Sequence, residues 1–167
     1  MSASEAPIRW EELARSAAAV VPGVEDPALL RQLLTFSLDG SPYALPVERV
    51  REIVRLRPIT ALPRVPSDVL GVISLRGAIV QVVDPRRRLG LSPGRPGRSG
   101  RIVIVLGEDG QIGGLLVDAV TEVLSVTDDA LQPPTGESAA VAALCARGER
   151  FVSVVDLDKL WTLDAEY

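Results

Sequence analysis

Histidine is absent from this chain of 167 residues, and cysteine and aromatic side chains are scarce. Without histidine the chain lacks the commonest general base, the commonest neutral metal ligand and the phosphoacceptor of a histidine kinase. The single cysteine, Cys145, excludes an internal disulfide and has no histidine to activate its thiol, so we expect it to pack in the core. The composition argues against an enzyme and predicts neither a metal nor a cofactor.

Long apolar runs are also missing, and no basic and hydrophobic leader opens the sequence, which argues against a membrane span or a secretion signal. Acidic side chains outnumber basic ones by 22 to 18, giving a net charge of −4. This charge supplies no general attraction for nucleic acid. We therefore expect a cytoplasmic protein whose partners are other proteins.

Residues 1–32 carry a helical pattern that the rest of the chain lacks. Apolar side chains recur at helical spacing over Trp10, Leu13, Ala17, Val20 and Val21. This predicts a short amphipathic extension ended by Pro22-Gly23, whose apolar face either covers the rest of the protein or recruits a partner.

From Leu33 onward, short β-rich runs alternate with turn residues. Asp39-Gly40 and Asp109-Gly110 each separate two such runs and predict hairpins. We expect Gly113-Gly114 to mark a bulge or bend.

Two phrases of the sequence recur in the same order. Residues 47–54 resemble residues 117–124 at an offset of 70, and residues 79–84 resemble residues 151–156 at an offset of 72. This pattern predicts an internally duplicated structure built from small β-barrels.

Three aspartates, Asp84, Asp118 and Asp156, each follow an aliphatic run. Carboxylates at strand ends are compatible with a metal-dependent hydrolase. For Asp84, followed by Pro85, and for Asp156, capping of the next turn or helix is the simpler interpretation.

The connector Arg86–Arg101 holds six arginines. It is compatible with a small-barrel protein that binds nucleic acid, although no aromatic residues are interleaved to stack on bases. An exposed linker with a short helical start is the preferred interpretation.

Three blocks of the chain resemble the CheW family of bacterial chemotaxis coupling proteins. They are residues 36–53, which include Tyr43-Ala-Leu-Pro and Val50-Arg-Glu-Ile, residues 71–84, which include Gly71-Val-Ile-Ser-Leu-Arg-Gly77, and residues 114–124. Ser74 and Gln81 depart from the family pattern, which has Asn and Pro there.

The resemblance implies an all-β fold of two SH3-like, five-stranded β-barrels over residues 33–161. One barrel would lie at about 33–100 and the other at about 101–161, with strand exchange left open, between the helical extension 1–32 and a tail at 162–167. It implies a non-enzymatic adaptor that couples chemoreceptor tips to the regulatory domain of a CheA-type histidine kinase, or a version specialised for another motility pathway. Other CheW-like domains are further candidate partners. The partner-binding residues that it indicates are Val50, Glu52, Gly71, Arg76, Val117 and Asp118.

Overall fold

The computed structural model describes residues 30–107, 109–136 and 139–161. The predicted N-terminal helix and the predicted tail at 162–167 lie outside these residues. Within the described part, no helix is long and apolar enough to cross a membrane.

Strands dominate the described residues, as predicted. They are β1 (Arg31–Leu38), β2 (Ser41–Pro46), β3 (Val50–Arg55), β4 (Val69–Leu75), β5 (Ala78–Val83), β6 (Arg101–Leu106), β7 (Ile112–Val117), β8 (Ala119–Val126), β9 (Leu131–Gln132), β10 (Val141–Arg147) and β11 (Arg150–Val155). Short 3-10 turns cover Val47–Arg49 and Asp128–Ala130, and one short helix, α1, covers Leu157–Trp161. The all-β prediction is confirmed.

The strands form two sheets whose members come from both halves of the chain. The five-stranded sheet has the order β3-β6-β7-β5-β4, and the six-stranded sheet has the order β8-β1-β2-β11-β10-β9. The first hairpin of each half, β1–β2 or β6–β7, completes the sheet of the other half. Each sheet therefore contains strands from both sides of the predicted boundary near residue 100.

The duplication seen in the sequence extends to the irregularities of the sheets. Arg51 in β3 and Thr121 in β8 are the extra residues at register shifts against the first strand of the opposite half. Leu70 in β4 and Ala142 in β10 are likewise the extra residues at register shifts within their hairpins. Bulges are specific features of a strand, so their recurrence at offsets of 70 and 72 supports a duplicated architecture.

The core is layered, which explains why several strands read as unbroken apolar runs rather than alternating ones. In β6, Val103 and Val105 face a large cluster to which both sheets contribute, while Ile102 and Ile104 face a second cluster within the five-stranded sheet. A third cluster, within the six-stranded sheet, contains Cys145. A strand buried on both faces needs apolar residues at every position.

Candidate functional site

The β4–β5 hairpin closes through a two-residue turn at Arg76-Gly77. Leu75 pairs with Ala78, and both turn residues have positive φ, 50° for Arg76 and 81° for Gly77. Such primed turns match the twist of the flanking strands, but they normally carry Asn or Gly where this chain has Arg. An L-residue in this conformation costs about 1–2 kcal/mol. The fold thus places a guanidinium at a hairpin tip at some cost in stability.

Glu52 of β3 fixes the direction of the Arg76 side chain. Arg76 Nη1 and Nη2 donate to Glu52 Oε1 and Oε2 at 3.0 Å each, in a bidentate pair. The Arg76 side chain is nevertheless 75% exposed, whereas that of Glu52 is 17% exposed. The pair is therefore an oriented surface group with a free outer side, and its charge is presented to solvent on a rigid hairpin.

Gly71 performs a different task, because it allows two backbone segments to meet. Thr60 and Val72 exchange backbone hydrogen bonds of 2.9 Å beside it. A Cβ on Gly71 would lie 2.0 Å from the carbonyl oxygen of Thr60, and its φ is 144°. The buried glycine thus holds the loop after β3 against the strand that leads to Arg76.

Val50 and Val117 are buried, at 4% and 0% exposure. Both belong to the large cluster between the sheets. Any effect of these two residues on a partner would be exerted through the shape of the protein. Their assignment as partner-binding residues stays a prediction.

Asp118, between β7 and β8, is held by a buried arginine of the connector. Arg86 Nη2 donates to both Asp118 carboxylate oxygens at 2.5 Å, and the Asp39 amide donates to Asp118 Oδ2 at 2.8 Å. The Arg86 side chain is only 4% exposed and that of Asp118 is 24% exposed. Asp118 is thus largely engaged in joining the connector to the β1–β2 turn.

Arg86 is also close to Asp84. Its Nη1 lies 3.9 Å from Asp84 Oδ1 and has no hydrogen-bond partner among the described residues. Burial raises the pKa of Asp84, and the amide of Arg86, which donates to Asp84 Oδ1 at 3.0 Å, together with the Arg86 charge, opposes this shift. The predicted capping bond at Asp84 is present, although residues 85–90 form turns rather than a helix.

The remaining arginines of the connector are mostly occupied by the protein itself. Arg87 donates to Ser67 Oγ at 2.7 Å, Arg88 donates to Asp68 Oδ2 at 3.0 Å, and Arg101 donates to the carbonyl of Gly100 at 2.7 Å. With Arg86 buried, the connector is not the free basic strip that nucleic-acid binding would require.

Apart from the two core valines, the predicted residues fall into two groups. Glu52 in β3, one end strand of the five-stranded sheet, meets Arg76 of the β4–β5 hairpin at the other end of the sheet, and Gly71 lies in β4. Asp118 lies at the junction with the β1–β2 turn. Among the described residues, no group of three or more His, Cys, Asp and Glu side chains could hold a metal. The chemistry available at this site is recognition by charge and shape.

Two further candidates were not selected from the sequence. Ile79 in β5 is 71% exposed and Phe151 in β11 is 50% exposed. They occupy corresponding positions of the duplicated hairpins, 72 residues apart, and Ile79 follows Arg76 closely along its hairpin. The repeat aligns the two positions, and their exposure in the structure makes them candidate contact residues.

Comparison with known proteins gives consistent results. A family profile described as "CheW-like domain" matches residues 32–164. The chain is 35% identical over 136 residues to the chemotaxis protein CheW of Rhizobium meliloti, covering 78% of this chain and 87% of that protein. It is 31% identical over 116 residues to protein FrzA of Myxococcus xanthus, covering 68% of this chain and 71% of FrzA.

A solved structure shares the fold. The crystal structure of the scaffolding protein TtCheW from Thermoanaerobacter tengcongensis aligns with a TM-score of 0.75 and 30% sequence identity, covering 81% of this chain and 94% of TtCheW.

Proposed function

The chain belongs to the CheW family, and from this we propose that it is a non-enzymatic adaptor that couples chemoreceptors to a CheA-type histidine kinase in a chemosensory array. The kinase regulatory domain and the cytoplasmic tip of the receptor are the partners proposed. Recruitment to receptor arrays at the cytoplasmic side of the membrane follows from these partners. The similarity to FrzA fits a version that serves a specialised motility pathway.

The observation that carries the proposal is the oriented Arg76 guanidinium beside an exposed apolar side chain. Glu52 aligns one side of Arg76, and the 75% exposure of the arginine leaves its outer side for a partner carboxylate. Ile79, 71% exposed on the same hairpin, supplies an apolar anchor. A charged group that sets orientation next to an apolar contact is typical of protein-binding surfaces.

An adaptor of this size works through small contacts. Each interface would be at the lower end of the range for specific complexes, and the assembly gains strength because several contacts are made at once. The duplicated sheets suit this arrangement, because corresponding hairpins carry Ile79 in one half and Phe151 in the other.

The alternative functions receive no support. Neither the family match nor the relatives favour a nucleic-acid-binding protein. Asp84, Asp118 and Asp156 bond to backbone amides or to Arg86, and these contacts account for them without catalysis.

The test uses charge reversal at the Glu52–Arg76 pair and binding to a CheA-type regulatory domain or to receptor tips. Arg76→Glu and Glu52→Arg each place like charges together, and the double variant restores an internal pair with its polarity inverted. If a partner carboxylate pairs with the outward positive charge of Arg76, Arg76→Glu and the double variant both weaken binding about tenfold. This corresponds to about 1.4 kcal/mol of binding free energy. Arg98→Glu, an exposed charge reversal on the connector, is the matched control and should bind like wild type.

The double variant separates recognition from architecture. Recovery of full binding in the double variant would mean that the pair only maintains the fold. Absence of wild-type binding to every such partner at tens of micromolar would contradict the proposed function itself.

A further inference from the structure

The β4 strand meets a second segment of the chain on the side away from β5. Thr60 and Val72 exchange backbone hydrogen bonds of 2.9 Å in an antiparallel bridge. Continuing this register by two residues sets Pro58 opposite Ser74, at a position where two residues would again exchange hydrogen bonds. Proline has no amide hydrogen, so Pro58 cannot donate to the carbonyl oxygen of Ser74.

Arg57 takes the place of the missing amide. Its Nη1 donates to the carbonyl oxygen of Ser74 at 3.3 Å, which ties the guanidinium to the edge of β4. Arg57 is exposed, and within the described part of the chain it forms no ion pair. Its charge is therefore held in position by a backbone carbonyl and stays accessible to a carboxylate from outside the protein.

The anchored guanidinium lies close to the exposed groups of the β4–β5 hairpin. Ser74 precedes Arg76 by two residues, about 7 Å of extended chain, and pairs directly with Ile79 across the hairpin. Ile79 is 71% exposed, and the Arg76 side chain is 75% exposed. Two cationic side chains and one apolar side chain are thus gathered at one end of the hairpin and its edge.

The two arginines differ in how far their charge is neutralised. Glu52 accepts hydrogen bonds from both Nη atoms of Arg76, whereas Arg57 contacts an uncharged carbonyl. Because an opposite charge already lies beside Arg76, its net attraction for a further carboxylate is reduced. Arg57 therefore adds an electrostatic attraction to the surface that Arg76 alone does not supply.

We propose that Arg57 is a second specificity-determining residue of this surface, and that the partner segment presents two carboxylates, one to Arg57 and one to Arg76, together with an apolar side chain that contacts Ile79. For the identity of the partner, a receptor tip or a kinase regulatory domain, the inference rests on the proposed function. An acidic protein segment suits the surface better than a nucleic acid, because β4, β5 and their turn contain no aromatic side chain to stack on bases.

The first arm of the test needs neither a kinase nor a receptor. The ligand is the acetylated and amidated peptide Glu-Glu-Ala-Leu-Ala-Glu-Glu, and its control has Gln at every Glu position. NMR follows the side-chain Nε–Hε resonances of Arg57, Arg76 and Arg98 at low salt. We expect millimolar acidic peptide to shift the resonances of Arg57 and Arg76 but not that of Arg98, which is exposed on the connector, and the Gln peptide to shift none of them.

Three results of this first arm would overturn the proposal. They are a shift of Arg76 alone, no shift with the acidic peptide, and tighter binding of a single-stranded oligonucleotide of equal charge at both arginines.

The second arm compares variants of Arg57 for binding to receptor tips and kinase regulatory domains. Arg57→Gln keeps a donor for Ser74 and removes the charge, whereas Arg57→Lys keeps both a donor and the charge. We expect Arg57→Gln to bind about threefold to fivefold more weakly, with a smaller dependence on salt, and Arg57→Lys to lose less. Arg98→Gln removes the same charge from the connector and should bind like wild type. Urea unfolding of each variant verifies that it is folded.

The outcomes distinguish this inference from the proposed function. If Arg76→Glu weakens binding while Arg57→Gln binds like wild type, Arg57 only completes the edge of β4, and the inference is overturned although the function stands. If wild type binds no receptor tip and no kinase domain, yet the acidic peptide shifts both arginines, the proposed function fails and the assignment of an acidic ligand stands.

Discussion

Replacement of Arg86 by methionine tests how the connector is held to the rest of the protein. The guanidinium donates to both oxygens of Asp118 at 2.5 Å and lies 3.9 Å from Asp84, and its side chain is 4% exposed. Methionine fills a similar apolar space but cannot pair with a carboxylate. The variant therefore leaves Asp118 charged and partly buried, and within the described part of the chain its remaining hydrogen bond comes from the amide of Asp39.

The expected loss of stability in Arg86→Met follows from the burial of the ion pair. Removing one partner of a buried ion pair costs about 3–5 kcal/mol, because the remaining charge is desolvated without compensation. Asp118 is 24% exposed and retains one hydrogen bond, which places the expected cost at the lower end, about 3 kcal/mol. The double variant Arg86→Met/Asp118→Asn removes both charges and keeps an acceptor for Asp39, so its cost should be smaller, about 1–2 kcal/mol.

Urea unfolding followed by circular dichroism measures these differences in free energy of unfolding. The expected outcome is a large loss in Arg86→Met, partial recovery in the double variant and an unchanged dependence on urea concentration. A cost below about 1 kcal/mol for Arg86→Met, or a double variant less stable than the single one, would refute the assignment of this pair as a buried clamp.

Three further outcomes are expected. Gly71→Ala should lower the free energy of unfolding by on the order of 3 kcal/mol, since its Cβ would lie 2.0 Å from the Thr60 carbonyl oxygen; wild-type stability in urea would contradict the close approach. The pKa of Asp84 is raised in the folded state, so the folded state binds the carboxyl proton more tightly than the unfolded state does. The free energy of unfolding of wild type should therefore increase relative to that of Asp84→Asn as the pH falls from the raised pKa towards 3.8. Urea denaturation curves in which this difference decreases as the pH falls would contradict the prediction. Burial raises the pKa of Cys145, so its thiol should react with a maleimide at least about tenfold more slowly in the native protein than in urea, and equal rates would contradict its burial.

Local features of the fold could be predicted from the sequence because their causes are local. The Asp39-Gly40 turn has φ values of 52° and 78°, as the dipeptide predicts. Asp156 accepts hydrogen bonds from the amides of Asp158 and Lys159 at the start of α1, as expected of an N-cap. The repeats could be recognised in the sequence because corresponding strands need the same pattern of apolar and turn residues.

Features that depend on distant residues were not predictable. The exchange of β1–β2 and β6–β7 between sheets depends on which strand edges meet, and a single sequence does not specify this. Arg86 belongs to a run that reads as exposed linker, yet its burial is decided by Asp118, 32 residues away. The expected bulge at Gly113-Gly114 is wrong, because both residues keep regular register in β7, where a Cβ on Gly114 would lie 2.8 Å from Ile102.

The candidate site was predicted in part. Glu52 and Arg76 were both selected, but their bidentate contact depends on the relative position of β3 and the β4–β5 hairpin. Ile79 and Phe151 could be selected as candidates only when their exposure in the structure was combined with the repeat. Val50, Gly71 and Val117 are buried, so the family pattern also includes residues of the protein interior.

The central claim is that this chain connects a receptor to a kinase. The most direct measurement is co-sedimentation of a CheA-type kinase with receptor-containing membranes, with and without the chain, and with Arg76→Glu and Arg98→Glu in its place. The account predicts that the kinase sediments with the membranes only when the chain is present, and that Arg76→Glu reduces this recruitment while Arg98→Glu does not. Kinase recruitment that is unaffected by the chain would contradict the account.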